Sequence, residues 1–274
     1  MEDIKSKEKQ LYLKWAQKLQ IEDFCPNGGL LFRGNFHLNE PNDNKRYTWY
    51  RDSGDENIRW CNSCKRLMIL TKDLNDDEMW DIRQESGGRA QMSENRIPPE
   101  EEIRYMGYSF YRRLNRWVFG ILKENQGCYP QFEEIKDKYN MLGHFYENAP
   151  LVRINCKYEL GGSSVKDNIL EEEMMRNKEL LVEQFKLYKA NIILCCGNQI
   201  LNFVKQYCFK GLNVIDDTNN RVYYSAEDNV IVINSYHPSV RGRGLNDKWL
   251  YEEFMKNIAI GFSKYKNIFK PLLS

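Results

Sequence analysis

The sequence has few of the features that mark membrane, secreted or fibrous proteins. No apolar run approaches the roughly 20 residues that a membrane-spanning helix needs. Residues 1–7 lack the basic-then-apolar order of a secretory signal peptide. We therefore expect a cytoplasmic protein without a membrane partner.

Excess charge is also missing. The 274 residues include 40 basic and 39 acidic side chains, which leaves a formal net charge of +1. This balance excludes a broad electrostatic wrap around nucleic acid, so any contact with DNA must come from local basic patches. A disulfide framework is not expected either, because the eight cysteines are few for this length and Cys195 and Cys196 lie together in an apolar run.

Apolar residues are plentiful enough for one sizeable core, since they make up 42% of the chain. An amphipathic helix is predicted over residues 5–20 from the spacing of its apolar side chains, and residues 21–65 are rich in Asn, Gly and Asp. We predict two parts. Residues 1–65 form an N-terminal helix and loop-rich extension packed on the core, and residues 66–274 form the main α/β domain.

Four short aliphatic runs predict buried parallel strands, because each is apolar on both faces. They span residues 67–70, 151–154, 192–195 and 230–233. Apolar spacing of three and four predicts helices over residues 101–124, 169–189, 197–207 and 246–264. This alternation indicates a doubly wound sheet, with a hairpin expected around Asn219 and Asn220.

Side chains suited to catalysis follow the four predicted strands. Asp73 comes shortly after the first strand and Asn155 directly after the second. Gly197 follows the third, and the fourth leads into His237 within the run Tyr-His-Pro-Ser at 236–239. The carboxyl ends of parallel strands share one edge of a sheet, so a carboxylate, an amide and an imidazole are expected to meet in one crevice.

This order of parts resembles the uracil-DNA glycosylase superfamily. Its members place a water-activating Asp or Asn after the first core strand, a base-reading Asn after the next, a Gly after an aliphatic strand and His-Pro-Ser after the last. The resemblance covers roughly residues 66–262, and the run at 236–239 is its most specific part. It implies a three-layer α/β fold with a central, mostly parallel four-stranded sheet and helices on both faces.

The resemblance also implies a function: a monofunctional DNA glycosylase that flips a nucleotide and hydrolyses its N-glycosidic bond. By residue type, Asp73 would orient water and stabilise the oxocarbenium-like sugar, and His237 would hydrogen-bond the departing base. Asn155 would read the base edge, because its amide offers both a donor and an acceptor. Asn75 and Ser239 are also expected at the base.

DNA contacts are implied for the loop that follows the His-Pro-Ser run. In similar enzymes this loop enters the DNA, which makes Arg241 the candidate wedge for the gap left by the flipped base. Arg243 and Lys157 are expected at phosphates. Residues 241–270 hold seven basic against three acidic side chains, so this end of the chain is locally basic. We expect DNA as the partner and a monomeric protein.

The first motif departs from the family pattern. Thr71 stands where Gly is usual, and Leu74 stands where many members have Pro. Asn75 occupies the position at which the uracil-specific branch has an aromatic wall against substituents on the pyrimidine. We therefore expect a larger, modified pyrimidine of the kind found in bacteriophage DNA, with DNA repair or anti-phage defence as the setting.

No cofactor is expected. Some branches of the family bind an iron–sulfur cluster through four cysteines, and the Cys61–Cys64 spacing would suit such a cluster or zinc. Cys25, Cys128 and Cys156 could add ligands. However, Cys156 is offset from the family position, and the helix where a fourth ligand is expected has no cysteine.

Two other classes of function fit parts of the pattern. Asp73, Asp76 and Asp77 near a strand end are also typical of a magnesium site in a phosphoesterase or nuclease. A non-catalytic nucleic-acid binding module is the second alternative, in which Asp73 caps the following segment and Asn155 satisfies loop backbone.

Three arginines of the predicted 101–124 helix are interpreted as its solvated face rather than as part of a site. They are Arg112, Arg113 and Arg116. Trp117, on the same helix, is expected in the core.

Overall fold

The computed structural model describes residues 3–22, 24–31, 36–38, 49–51, 55–72, 81–84, 109–158, 166–242 and 244–272. Within these ranges the helices are α1 (Ile4–Leu19), α2 (Glu56–Asn62), α3 (Ser109–Lys123), α4 (Phe132–Ile135), α5 (Tyr139–Asn148), α6 (Asp167–Arg176), α7 (Lys178–Leu187), α8 (Asn198–Phe203) and α9 (Asp247–Lys264). The strands are β1 (Gly28–Leu30), β2 (Phe36–Leu38), β3 (Trp49–Arg51), β4 (Leu67–Thr71), β5 (Leu151–Asn155), β6 (Ile192–Cys196), β7 (Asn213–Val214), β8 (Val222–Ser225) and β9 (Val230–Ser235).

A seven-stranded mixed sheet, ordered β1-β5-β4-β6-β9-β8-β7, forms the centre of the described fold. The strands β5, β4, β6 and β9 are parallel and adjacent, and β1, β8 and β7 extend them antiparallel at the two edges. The expected α/β class, with helices on both faces of a central sheet, is confirmed. The sheet is wider than the expected four strands, because the short strand β1 pairs with one edge and the β7–β8 hairpin pairs with the other.

Helices cover both faces of the sheet. One apolar cluster joins the inner side chains of α1, α6, α7 and α8 to one face. A second cluster joins α3, α5 and α9 to the other face, with Trp117 at its centre and 1% exposed. The parallel strands are buried along their whole length, which explains why they are aliphatic on both faces. No helix of the described ranges is long and apolar enough to cross a membrane.

The helix predicted over residues 169–189 is wrong as one continuous element. The chain leaves helical geometry at Asn177, with φ −106° and ψ 17°, and this residue separates α6 from α7. The Asn177 side chain donates to the Glu173 carboxylate at 3.0 Å. Asparagine competes for local hydrogen bonds in this way, and apolar periodicity alone does not register the break. By contrast, the hairpin expected at Asn219 and Asn220 is confirmed as β7–β8.

The described residues of the N-terminal part are joined to the sheet by hydrogen bonds as well as by packing. β1 pairs with β5, and Glu8 of α1, only 2% exposed, accepts hydrogen bonds from the Leu30 amide at 2.9 Å and the Tyr188 hydroxyl at 3.0 Å. Arg83 pairs with the same carboxylate at 3.3 Å. Burial, and then the charge of Glu8, raises the pKa of Tyr188 well above its usual value. The boundary at residue 65 stays a prediction.

Candidate functional site

The carboxyl ends of the four parallel strands lie at one edge of the sheet. Thr71 of β4 pairs with Asn155 of β5, and Cys196 of β6 pairs with Ser235 of β9. The residues that leave these strands therefore follow one another along this edge. His237 comes two positions after Ser235. This edge of the sheet is where the sequence places its candidate residues.

Asn155 is held at this edge by three hydrogen bonds to two neighbours and is 1% exposed. Its side-chain oxygen accepts a hydrogen bond from the Thr71 hydroxyl at 2.5 Å. Its backbone amide donates to the Asn27 carbonyl, and its carbonyl accepts from the Asn27 side chain, both at 2.9 Å. The side-chain nitrogen Nδ2 is buried and has no hydrogen-bond partner in the described part of the chain. The Asn155 amide is thus oriented through its oxygen and keeps a donor for an acceptor atom such as a carbonyl oxygen.

The support behind Asn155 comes from the N-terminal part of the chain. The Asn27 side-chain oxygen accepts from the Gln184 amide at 3.0 Å, which ties it to α7. Gly28 follows with φ +144°, and a Cβ there would lie 2.1 Å from the Arg153 carbonyl oxygen. Only glycine permits so close an approach of β1 to β5. This approach brings Asn27 within reach of the Asn155 backbone.

His237 lies in a tight turn after β9. The Val240 amide donates to the His237 carbonyl at 2.8 Å, and the Ser239 amide donates to the imidazole Nδ1 at 3.2 Å. A neutral ring that accepts at Nδ1 carries its proton on Nε2. The pKa of His237 is lowered to about 4, first by burial and then by the nearby charges of Lys72 and Arg153. The imidazole is therefore a neutral N–H donor at pH 7.

Two cations, Lys72 and Arg153, complete this neighbourhood, and the sequence reasoning missed both. Arg153 is 4% exposed and lies over the Phe110 ring, with 4.8 Å from Cζ to the ring centroid. The Phe110 ring in turn lies 5.7 Å from that of His237. Lys72 pairs with Asp167 at 3.0 Å. A signal was present, because Arg153 interrupts an aliphatic strand run, and a buried charge in such a run indicates a polar site.

The His237 turn is anchored by Arg113 of α3, and the interpretation of Arg112, Arg113 and Arg116 as a solvated face is wrong. Arg113 donates to the carbonyls of Pro238 at 2.9 Å and Val240 at 2.6 Å. The Arg113 and Arg116 side chains are only 9% and 4% exposed, against 28% for Arg112. Helical spacing could not reveal this burial, because the partner of the three arginines lies more than a hundred residues away in the chain.

That partner is Asp247, the first residue of α9. Its carboxylate accepts from Arg112 at 2.6 Å and from Arg113 and Arg116 at 2.8 Å each. Burial alone would raise the pKa of Asp247, but the hydrogen bonds and charges of Arg112 and Arg113 outweigh it and hold the pKa at about 2. One carboxylate thus fixes α3, α9 and the His237 turn relative to one another.

Replacement of Asp247 by alanine is expected to lower the free energy of unfolding by about 3 kcal/mol, because it leaves three arginines without their shared carboxylate.

The contacts between Asp247 and these arginines also predict that the stability of the wild-type protein depends on pH. The pKa falls from an ordinary 3.8 to about 2 on folding, so about 2 kcal/mol of stability, present above pH 4, is lost as the pH falls through 2. Urea denaturation of Asp247→Ala at several pH values measures both effects. Asp216→Ala, at an exposed position, is the control, and an equal loss in both variants would contradict the role of Asp247.

The remaining predicted site residues fall into three groups. The first group lies outside the described residues. It consists of Asp73 and Asn75, of Asp76 and Asp77 from the magnesium alternative, and of Arg243. Ser239 and Arg241 are exposed, as contact with DNA requires. Lys157 is only 6% exposed, and this burial disfavours the expected contact with a phosphate.

The cysteines considered as metal ligands lie in different surroundings. Cys61 is 1% exposed and packs in the apolar cluster beneath α1, whereas Cys64 is exposed. Burial raises the pKa of the Cys156 thiol well above its usual value, so that thiol is protonated. Across the described ranges, no three His, Cys, Asp or Glu side chains are grouped as a metal site would require.

Comparison with known proteins adds no name to this arrangement. No protein-family model matches the chain, and no curated protein matches it significantly. The site must therefore be interpreted from its own geometry.

Proposed function

We propose that this protein is a DNA glycosylase of the uracil-DNA glycosylase type, which flips a nucleotide out of DNA and hydrolyses the bond between its base and sugar. In this reaction water supplies the oxygen that bonds to C1′ of the sugar. The bond from C1′ to the base nitrogen breaks, and the base leaves with the electron pair and takes up a proton.

The observation that carries the proposal is the pair of donors at the sheet edge. Asn155 keeps a buried amide N–H without a partner among the described residues, and His237 is a neutral imidazole with its proton on Nε2. A departing pyrimidine accumulates negative charge on its carbonyl oxygens, and positioned neutral donors stabilise that charge. The cations Lys72 and Arg153 near His237 add a favourable field for an anionic leaving group.

The arrangement of the parallel strands supports the same proposal. Asn155 and His237 follow the second and fourth parallel strands in chain order, as the resemblance to the family implies. In the proposed mechanism Asp73, after the first parallel strand, orients the water, and the exposed Arg241 enters the DNA beside the flipped nucleotide. Ser239 and Asn75 contact the base.

We further propose a modified pyrimidine as the substrate, since Asn75 replaces the aromatic wall of the uracil-specific branch. DNA repair or defence against bacteriophage is the corresponding setting, with a monomeric, cytoplasmic protein acting on DNA.

Base release from synthetic DNA tests this proposal. Oligonucleotides that contain uracil, a hydroxymethylated pyrimidine or a glucosylated pyrimidine are incubated with the full chain, and abasic sites are detected by cleavage in hot alkali. We expect release of the larger bases at full rate in the presence of a chelator, because the proposed chemistry needs no divalent metal. Exclusive release of uracil would contradict the larger pocket. Metal-dependent cleavage of the phosphate backbone would instead identify the protein as a phosphoesterase. The absence of any base release would refute the proposal that it is a glycosylase.

A further inference from the structure

A cavity opens beside the candidate site, between the end of the β8–β9 pair and residues 249–257 of α9. Its volume is about 280 Å³. Pockets for drug-sized ligands start at about 300 Å³, so this cavity suits a single aromatic ring system better than a dinucleotide. Its lining includes Tyr236, which directly precedes His237 in the chain.

One wall of the cavity is a stripe along α9 with four-residue spacing. Trp249, Glu253 and Asn257 all line the cavity, because side chains four residues apart lie on the same face of a helix. Trp249 is 41% exposed, which is unusual for so large an aromatic side chain and leaves ring surface open for stacking. The stripe therefore combines a stacking surface with side-chain oxygen acceptors.

One acceptor of this wall lacks a donor in the described part of the chain. Asn257 is 4% exposed and donates through Nδ2 to the Glu253 carbonyl at 2.6 Å, while its buried Oδ1 has no hydrogen-bond partner among the residues described. Burying an acceptor without a partner is unfavourable, so a ligand that brings N–H groups gains by satisfying it. The Glu253 carboxylate, one helical turn away, accepts N–H groups as well.

The opposite wall brings a cation and a second ring. Arg221 donates to the Tyr236 hydroxyl at 2.9 Å, and its Cζ lies 4.6 Å from the centroid of the same ring. The Tyr236 and Trp249 rings are 6.5 Å apart and inclined at 46°. The cavity thus has two aromatic rings at its sides, oxygen acceptors on one wall and a guanidinium on the other.

We infer that this cavity binds one unpaired guanine base. Guanine presents two adjacent donors, N1–H and the N2 amino group, which match a carboxylate, and acceptors at O6 and N7, which match a guanidinium. Adenine and cytosine each place a ring-nitrogen acceptor beside their amino group, so a carboxylate repels one half of that edge. Thymine offers a single donor between two carbonyls. Glu253 and Arg221 therefore select guanine, and Trp249 supplies the stacking.

The source of the base is the DNA strand bound at the neighbouring site, and in this choice the inference rests on the proposed function. An unpaired guanine next to the flipped nucleotide would enter beside Tyr236. Binding of guanine is nevertheless measurable without base release, so failure of the one proposal is distinguishable from failure of the other.

Fluorescence anisotropy of labelled single-stranded oligonucleotides tests the inference. The strands carry ordinary bases everywhere except at one central position, which is guanine, hypoxanthine, adenine, cytosine or thymine. We expect the guanine strand to bind about tenfold more tightly than the adenine, cytosine and thymine strands, with hypoxanthine between them because it lacks the N2 amino group. Equal affinity for all strands would overturn the inference.

Three variants and a matched control assign the preference to the cavity. Trp249→Ala is expected to weaken binding of the guanine strand about tenfold, and Trp249→Phe to restore most of it, because a base stacked on an aromatic ring contributes on that scale. Glu253→Gln is expected to remove the preference for guanine, since an amide cannot accept both donors. Glu252→Gln is the control, because Glu252 is the adjacent acidic residue and is 45% exposed. Equal losses in Glu252→Gln and Glu253→Gln would contradict the assignment.

Titration with free nucleotides decides the source of the base. If deoxyguanosine monophosphate binds at least tenfold more weakly than the guanine strand, the DNA strand is the source. If the two bind equally tightly, the cavity is a site for free guanine nucleotides, and the DNA part of the inference is wrong.

Discussion

Replacement of Asn155 by alanine is expected to lower kcat/KM for base release by at least about 100-fold, because one positioned donor to a developing oxyanion contributes on that scale. The side-chain oxygen is already bound to the Thr71 hydroxyl, so in the proposed mechanism the donor to the base is Nδ2, which has no partner among the described residues. The change removes this donor and leaves the backbone hydrogen bonds to Asn27 in place.

The design separates base recognition from folding. Asn155→Asp keeps the size of the side chain but replaces the N–H donor by an acceptor, so we expect it to be as inactive as Asn155→Ala. The control is Asn202→Ala, at an exposed position on α8, which should retain full activity. Circular dichroism and thermal unfolding check that each variant is folded. Near-normal activity of folded Asn155→Asp would rule out the donor role.

His237→Ala is expected to lower kcat about 100-fold with little change in KM, because in the proposed mechanism the imidazole stabilises charge that develops only as the base departs. His237→Gln should recover part of the rate, since a glutamine amide can also donate. The measurement is single-turnover base release with saturating enzyme. A large rise in KM with unchanged kcat would show instead that His237 only binds substrate.

The pH dependence provides an independent check on the state of His237. Its pKa of about 4 in the folded protein means that the ring is neutral from pH 5 upwards, so the ratio of wild-type to His237→Gln rates should be constant from pH 5 to 8. Between the ordinary value near 6.5 and 4, the unfolded chain binds the proton more readily than the folded protein does. Stability contributed by the neutral ring is therefore present above pH 6.5 and lost as the pH falls through 4. Urea denaturation should show this loss of stability in the wild type but not in His237→Gln. An inflection in the rate of base release near pH 6.5 would contradict the lowered pKa of His237.

The parallel strands were predictable because their burial on both faces leaves a local mark. Runs such as 192–195 have no alternation of apolar and polar residues, and this pattern is typical of a strand covered on both sides. The edge strand β1 leaves no such mark, since its three residues include two glycines and its position depends on hydrogen bonds to β5. The break at Asn177 was also missed, because a local side-chain hydrogen bond interrupts an otherwise continuous apolar spacing.

Composition and order along the chain were enough to give the α/β class, the places where the parallel strands end, and the residue types that follow them. Those properties depend on local burial and on the direction of the chain, both of which the sequence carries directly. The tertiary structure decided which charges are buried and which groups meet. Arg113 lies against the His237 turn, Arg153 lies beside Phe110, and Asn155 keeps an unpartnered donor. Each of these depends on atoms brought together from distant parts of the chain, and pairwise geometry of that kind leaves no periodic trace in sequence.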